Sequence, residues 1–381
     1  MKRRQMIAAT TGLGLLALLP RAVRGGVPAA APRSVADGAM EAARAQEYLR
    51  EFILQYALPD ANPWVAMHVV LALGAGIKRD GLNVLDSTVA ATLRLEEIGM
   101  RRFPVFPLEV ERHRFHFLQI MQAIDLPRDH LFVTSHGRWT RTELVESACS
   151  LFDPKQGGDD EDSWAISVLT QEYPPARDHF TTLRGQQVDV AGQVERHLRE
   201  TEASYAAVFA SMQGKGYGRN ALHRHACNGL HLLYGLIDAA AAGYIVADLP
   251  AKLARLFAAT LFRARLEAAL IDRSLSADDA ATRLNADAAR LTFFGHLCED
   301  FGLAILHRLF QPDARELATL VWARGELAAV IQRFASEHDI TALATRVPRA
   351  WHIMLGDLCH AYRGLGLIRV PLASSQDRVH G

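Results

Sequence analysis

Six apolar segments, each carrying a small polar set, alternate along this chain with amphipathic stretches. That alternation constrains the fold more than any other feature. The segments are Trp64-Val65-Ala66-Met67-His68, His113-Arg114-Phe115-His116, Ser163-Trp164-Ala165-Ile166, His225-Ala226-Cys227-Asn228-Gly229-Leu230-His231, Phe294-Gly295-His296-Leu297-Cys298, and Trp351-His352 running on to Asp357-Leu358-Cys359-His360. Their centres fall near residues 68, 116, 164, 228, 296 and 358, so the first two intervals are 48 residues each and the later ones about 60 to 70. A helix that is apolar all round has to be enclosed on both sides, whereas a single apolar stripe covers a core from outside.

Between these segments the apolar spacing is mostly i, i+3, i+4, i+7, the helical period. Met40–Leu58 reads as a helix with Tyr48, Phe52 and Tyr56 in one stripe. Asn62-Pro63 supplies a cap and a first-turn proline for a helix through Leu73. Thr140 and Glu143 form a capping box before Leu144–Phe152, and Ser276 with Asp279 opens another helix. Alanine-rich amphipathic stretches occupy 188–210, 248–274 and 313–335. Strands are nearly absent from this reading; Leu131-Phe132-Val133-Thr134 and Ile368–Leu372 are the best short candidates. The expectation is an all-α chain.

Six enclosed helices alternating with six half-exposed ones predict an inner ring inside an outer ring. This arrangement resembles the α/α-toroid superfamily of helical hairpins, which includes six-hairpin glycosidases, polysaccharide lyases, terpene cyclases, prenyltransferase subunits and lanthionine cyclases. The resemblance spans residues 40–370 and rests on the hairpin period, with no signature motif. It implies a toroid of about six hairpins around a central cavity. A less regular helical bundle is the alternative that the period leaves open.

The first thirty residues belong to a different class of signal. Lys2-Arg3-Arg4 leads an apolar run from Met6 to Leu19, followed by Pro20 and the small-residue stretch Val27-Pro28-Ala29-Ala30-Ala31. A basic start, a short apolar run and a small-residue exit describe an export signal over residues 1–31, and a run this short does not span a membrane comfortably. Arg3-Arg4-Gln5-Met6-Ile7 resembles the twin-arginine signal, with Met-Ile where Phe-Leu is usual. Residues 32–381 are then one all-helical domain of a periplasmic or secreted protein. The formal net charge is zero, so no basic surplus exists to hold a nucleic-acid backbone. Four cysteines, Cys149, Cys227, Cys298 and Cys359, permit two disulfides, buried thiols or metal ligation.

The densest candidate for chemistry is the run from His223 to His231. Cys227 and His231, four apart, share one face of a helix there and can bind one ion, with Cys359 and His360 as the further donors. The toroid cyclases and prenyltransferases hold central zinc with cysteine and histidine, and Cys359-His360 is similar to the Cys-His pair of the cyclases. Ala361 stands where those enzymes have glycine. Zinc is therefore the candidate cofactor, and packed core thiols and imidazoles are the competing reading. A second constellation is His296 with Glu299 and with Asp300 one turn on, and Asp357 near His360. A carboxylate that orients an imidazole supports general acid–base catalysis, so His225 or His296 is expected as a base and Asp300 or Asp357 as its orienter. Trp164, following Asp159-Asp160-Glu161-Asp162, suits a sugar platform. His116 belongs to the same series, and Arg224 and Arg363 suit an anionic group. Phosphate-loop, serine-elbow, His-Glu-x-x-His and haem-attachment motifs are absent.

Together these features lead to an exported toroid enzyme that cleaves a cell-envelope or extracellular saccharide, or another small molecule, by lyase or hydrolase chemistry. The two other classes are a non-catalytic periplasmic binding or assembly protein and a zinc-dependent transferase or cyclase.

Overall fold

The computed structural model describes residues 35–154, 159–274 and 280–368. The export segment, the helix opening at Ser276 and Asp279, and the candidate strand beyond Ile368 lie outside the described residues. Helix α1 (Val35–Phe52) runs into a π-turn at Ile53–Ala57, and α2 (Pro63–Leu73) follows. Asn62 caps α2 as its sequence announces: the side chain accepts from the N–H groups of Trp64 (2.9 Å) and Val65 (3.3 Å).

The chain then repeats one unit three times: an apolar helix, a β-hairpin, and a second helix whose N-cap is the last residue of the hairpin. In the first unit α2 leads to β1 (Lys78–Arg79), β2 (Leu82–Asn83) and α3 (Val84–Thr92), with Asn83 as the cap. A longer hairpin, β3 (Arg94–Ile98) and β4 (Arg101–Val105), and the single turn α4 (Leu108–Glu111) lead into the second unit. That unit is α5 (His116–Ala123), β5 (Leu131–Thr134), β6 (Gly137–Thr140) and α6 (Arg141–Ser150), whose Thr140–Glu143 capping box is present. The third is α7 (Asp159–Glu172), β7 (His179–Thr181), β8 (Gln187–Asp189) and α8 (Val190–Ser204), capped by Asp189, with the short α9 (Ala206–Met212) after it. Helix pairs without hairpins complete the chain: α10 (His231–Ala241) with α11 (Leu249–Ser274), then α12 (Ala280–Leu306) with α13 (Ala314–Ser336). Last come α14 (Thr341–Arg346) and α15 (Pro348–Leu367).

The four antiparallel hairpins correct the expectation that strands are nearly absent; of the eight strands only Leu131–Thr134 was foreseen. They are two to five residues long, too short for a period-2 pattern to stand out. Their turns did carry a signal: Asp80 (φ 52°) and Gly81 (φ 81°) make the Asp-Gly turn that suits a two-residue hairpin. The chain is mainly α-helical all the same.

The apolar helices lie against one another in chain order, α2 on α5, α5 on α7, α7 on α10, α10 on α12 and α12 on α15, and α15 returns to α2. Their partners α3, α8, α11 and α13 pack on them, and α1 packs on α15 and α13. Two of the inner contacts approach backbone to backbone. A Cβ at Gly364 would lie 2.8 Å from the Glu299 nitrogen and the Gly295 oxygen, so α12 and α15 meet along glycine. A Cβ at Gly235 would lie 2.7 Å from the Ser163 oxygen, which brings α10 equally close to α7. This closeness draws the polar residues of the inner helices together.

Candidate metal centre

Each of the six inner helices contributes one aromatic side chain at a common level. His68 comes from α2, His116 from α5, Trp164 from α7, His231 from α10, His296 from α12 and His360 from α15. Ring centroids lie 5.1 Å apart for His68 and His116, 5.5 Å for His116 and Trp164, and 4.8 Å for Trp164 and His231. His231 is 4.6 Å from His296 and 5.6 Å from His360, and His296 is 4.2 Å from His360. The circuit closes with His360 to His68 at 5.0 Å. Trp64 lies tilted against His68 at 3.9 Å, and His113 lies parallel to Trp164 at 4.1 Å. The structure thus brings together His116, Trp164, His231, His296 and His360 as the sequence suggested, and adds His68.

The hydrogen bonds of this ring follow one rule. Nδ1 of His68, His116 and His296 lies 2.7, 3.2 and 2.8 Å from the carbonyl oxygens of Trp64, Glu111 and Thr292. Nδ1 of His360 lies 2.5 Å from Oε2 of Glu299. An acceptor at Nδ1 places the proton there and leaves Nε2 as a bare lone pair. Among the described residues no hydrogen bond engages Nε2 of His68, His116 or His360, and that of His296 is buried without a partner. Burial, and then the neighbouring imidazoles, hold His68, His116 and His231 well below the usual imidazole range. His296 is pushed down to about 3 by burial and by His360. Lowered in this way, the imidazoles of His231 and His296 are neutral, the state in which histidine ligates metals.

Cys227 joins this ring. Its sulfur and ligating atoms of His231 and His296 all lie within 4.8 Å of one another. The expectation of one helical face for Cys227 and His231 is corrected, because α10 begins only at His231. Cys227 (φ 48°) and Asn228 (φ 57°) lie in a left-handed turn that precedes it. That turn is held from behind by a buried network. Arg263 donates to the Asn228 carbonyl (2.7 Å), to Glu267 Oε1 (2.7 Å) and to the Tyr217 hydroxyl (3.0 Å). Tyr217 donates to Glu267 (2.5 Å), whose other oxygen faces His223 Nε2 at 3.2 Å. Burial opposes the Glu267 charge, but Arg263 and His223 hold its carboxyl far below the usual range.

One turn deeper along α12 and α15, Arg363 pairs with Glu299 and donates to the Tyr234 hydroxyl (3.1 Å) and the Ala123 carbonyl (3.2 Å). Burial works against the Glu299 charge, yet His360 and Arg363 bring its carboxyl down to about 2. Asp300 behaves oppositely: burial, then the Glu299 and Asp238 carboxylates, raise it well above the carboxylate range. Asp300 and Asp357 do not hydrogen-bond His296, whose orienter is the Thr292 carbonyl. A helical imidazole reaches back to the carbonyl four residues before it, so the i, i+4 carboxylate loses the competition. Asp357 instead accepts from the Thr292 hydroxyl (2.6 Å), and burial raises it to about 6.

The remaining candidates are placed apart from the ring. His225 pairs with the Ser204 hydroxyl (3.1 Å), Arg224 is exposed, and Asp162 is paired with Arg196 (3.0 Å). Cys359 is fully buried in the packing of α15, and burial pushes its thiol up strongly. No disulfide joins any of the four cysteines. No described helix is long and apolar enough to cross a membrane.

The donor set could hold a metal ion. It combines one soft sulfur with two neutral imidazoles, one of which carries an orphaned buried nitrogen. The sequence reading placed Glu299 with His296 but did not pair it with His360, and it missed the Arg263–Glu267 support. Both pairings depend on which helices approach one another, although the register of one ring residue per segment was open to find His68. No family model, curated protein or solved structure matches this chain.

Proposed function

We propose that this chain is an exported metalloprotein of α/α-toroid form, whose central histidine ring holds a transition-metal ion at Cys227, His231 and His296. One observation carries the reading: the convergence of that sulfur and two neutral imidazole nitrogens within 4.8 Å of one another. The return of α15 to α2 supports the toroid, and the basic, apolar and small-residue succession in residues 1–31 supports export.

Cys227, His231 and His296 would hold the ion, and a bound zinc would supply Lewis-acid chemistry there. The chain's own residues supply the rest. Thr292 fixes the tautomer of His296, and the Arg263 network fixes Cys227. Glu299 holds His360 at Nδ1, which fixes the orientation of that ring beside the site. In this compartment a small molecule or saccharide of the cell envelope, cleaved by hydrolysis or elimination, is the substrate class. Trp164 acts as a wall of the ring rather than an open platform, because His113 covers its face.

A non-catalytic metal-binding role draws on the burial of the same rings, between 1% and 8% exposed. The two readings separate on turnover by the metal-loaded protein. Both require metal in the purified mature chain and its loss in Cys227→Ser and His296→Ala. A chain that is metal-free as purified and binds no added zinc or cobalt contradicts both.

A further inference from the structure

We propose that the histidine ring receives an anionic ligand, and that Arg112, with Arg349 beside it, holds that ligand's carboxylate or phosphate group at the α2 side of the ring. This builds on the ring as the working site and adds the charge class of what it binds.

Arg112 directly follows α4. Its guanidinium carbon lies 4.1 Å from the Trp64 ring centroid, and the Trp64 and His68 ring centroids are 3.9 Å apart. The charge is felt by both His68 and His116. Arg112 is itself half-buried, and burial, then the like charge of Arg349, lowers its pKa. A guanidinium in such surroundings ordinarily faces a carboxylate, because desolvation without compensation is costly. Among the described residues no carboxylate pairs with it and no hydrogen bond engages its guanidinium.

Two further features point the same way. Arg112 (φ 63°) and Phe115 (φ 65°) are left-handed non-glycine residues bracketing His113 and Arg114, and strain of this kind collects at functional sites. Arg349 stands in the first turn of α15, where the helix presents unpaired N–H groups. A flat guanidinium on an indole face keeps its edge N–H groups in one plane, which matches the two oxygens of a carboxylate or phosphate.

The test is calorimetric titration of the full chain with inorganic phosphate and with oxalate at low salt, metal-free and cobalt-loaded, with glycerol as an uncharged control. Binding is expected for both anions and not for glycerol. Arg112→Met should weaken it at least about tenfold, Arg349→Met by a smaller, salt-sensitive factor, and Arg308→Met, an exposed arginine outside the site, not at all. If Arg112→Met unfolds, Arg112→Lys, which keeps the charge without the fork, and Arg349→Met carry the comparison. Absence of anion binding by the wild type, or equal affinity in the Arg112 and Arg349 variants, overturns the assignment. Cobalt absorption on the same samples keeps the two readings apart: a thiolate–cobalt band without anion binding refutes only the anion site, and anion binding without the band refutes only the metal.

Discussion

The buried Arg263–Glu267 pair offers the sharpest perturbation of what holds Cys227 in place. Arg263 is fully buried, with Glu267 and His223 at 3% and 2% exposure. Arg263→Met removes the cation that keeps Glu267 ionised, empties the donor at the Asn228 carbonyl, and leaves the Tyr217 hydroxyl with one partner fewer. Removing one member of a buried pair costs about 3–5 kcal/mol, because the other charge stays desolvated and uncompensated. The whole domain has only about 5–15 kcal/mol to lose. Urea unfolding followed by circular dichroism reads this loss directly. Glu267→Gln in the Arg263→Met background removes the stranded carboxylate, so the double variant should be less destabilised than the two single losses added together, by about 1–3 kcal/mol. A single-variant loss below about 1 kcal/mol, or simple additivity, refutes the account of this network.

Two other predictions rest on separate parts of the fold. Burial pushes the Cys149 and Cys298 thiols up to about 12 and that of Cys359 higher still, while Cys227 is only half-buried. A disulfide reagent should therefore modify one thiol of the native chain once chelation has removed its metal, identified as Cys227 by mass spectrometry, and the other three only on unfolding; fast modification of all four contradicts this. On α12, burial opposes the Asp287 charge, but Arg333 (2.6 Å) and His338 (2.9 Å) bring its carboxyl below the usual value. A lowered folded-state pKa gives stability that is complete above the unfolded value of about 3.9 and fades as pH falls through the folded one. Asp287→Asn should therefore destabilise at pH 7 and progressively less in acid, and a pH-independent difference refutes the linkage.

How much of this was legible depends on the range over which each signal acts. The caps at Asn62 and Thr140 are local, and both formed where the residues announced them. The apolar segments were legible because enclosure on both sides removes polar residues from a whole helix, so the few that remain stand out. His116, Trp164, His231, His296 and His360 were found that way. The hairpins were not, since two to five residues cannot display a period, although Asp80-Gly81 marked one turn. Cys227 and His231 were paired through a helical spacing that the left-handed turn at Cys227 and Asn228 breaks; another geometry brings them together. The partner of His360 was out of reach, because Glu299 faces it only where Gly295 and Gly364 let α12 and α15 touch.

The most direct test of the central claim is metal analysis of the purified mature chain, with stability measured before and after chelation. The account predicts a retained transition metal in the wild type. Chelation should lower the unfolding midpoint, since a ligand bound only to the folded state stabilises it by mass action, and Cys227→Ser and His296→Ala should have lost both the metal and the response. Metal-free wild-type protein that takes up no added zinc or cobalt, and whose unfolding midpoint does not move on chelation, contradicts it.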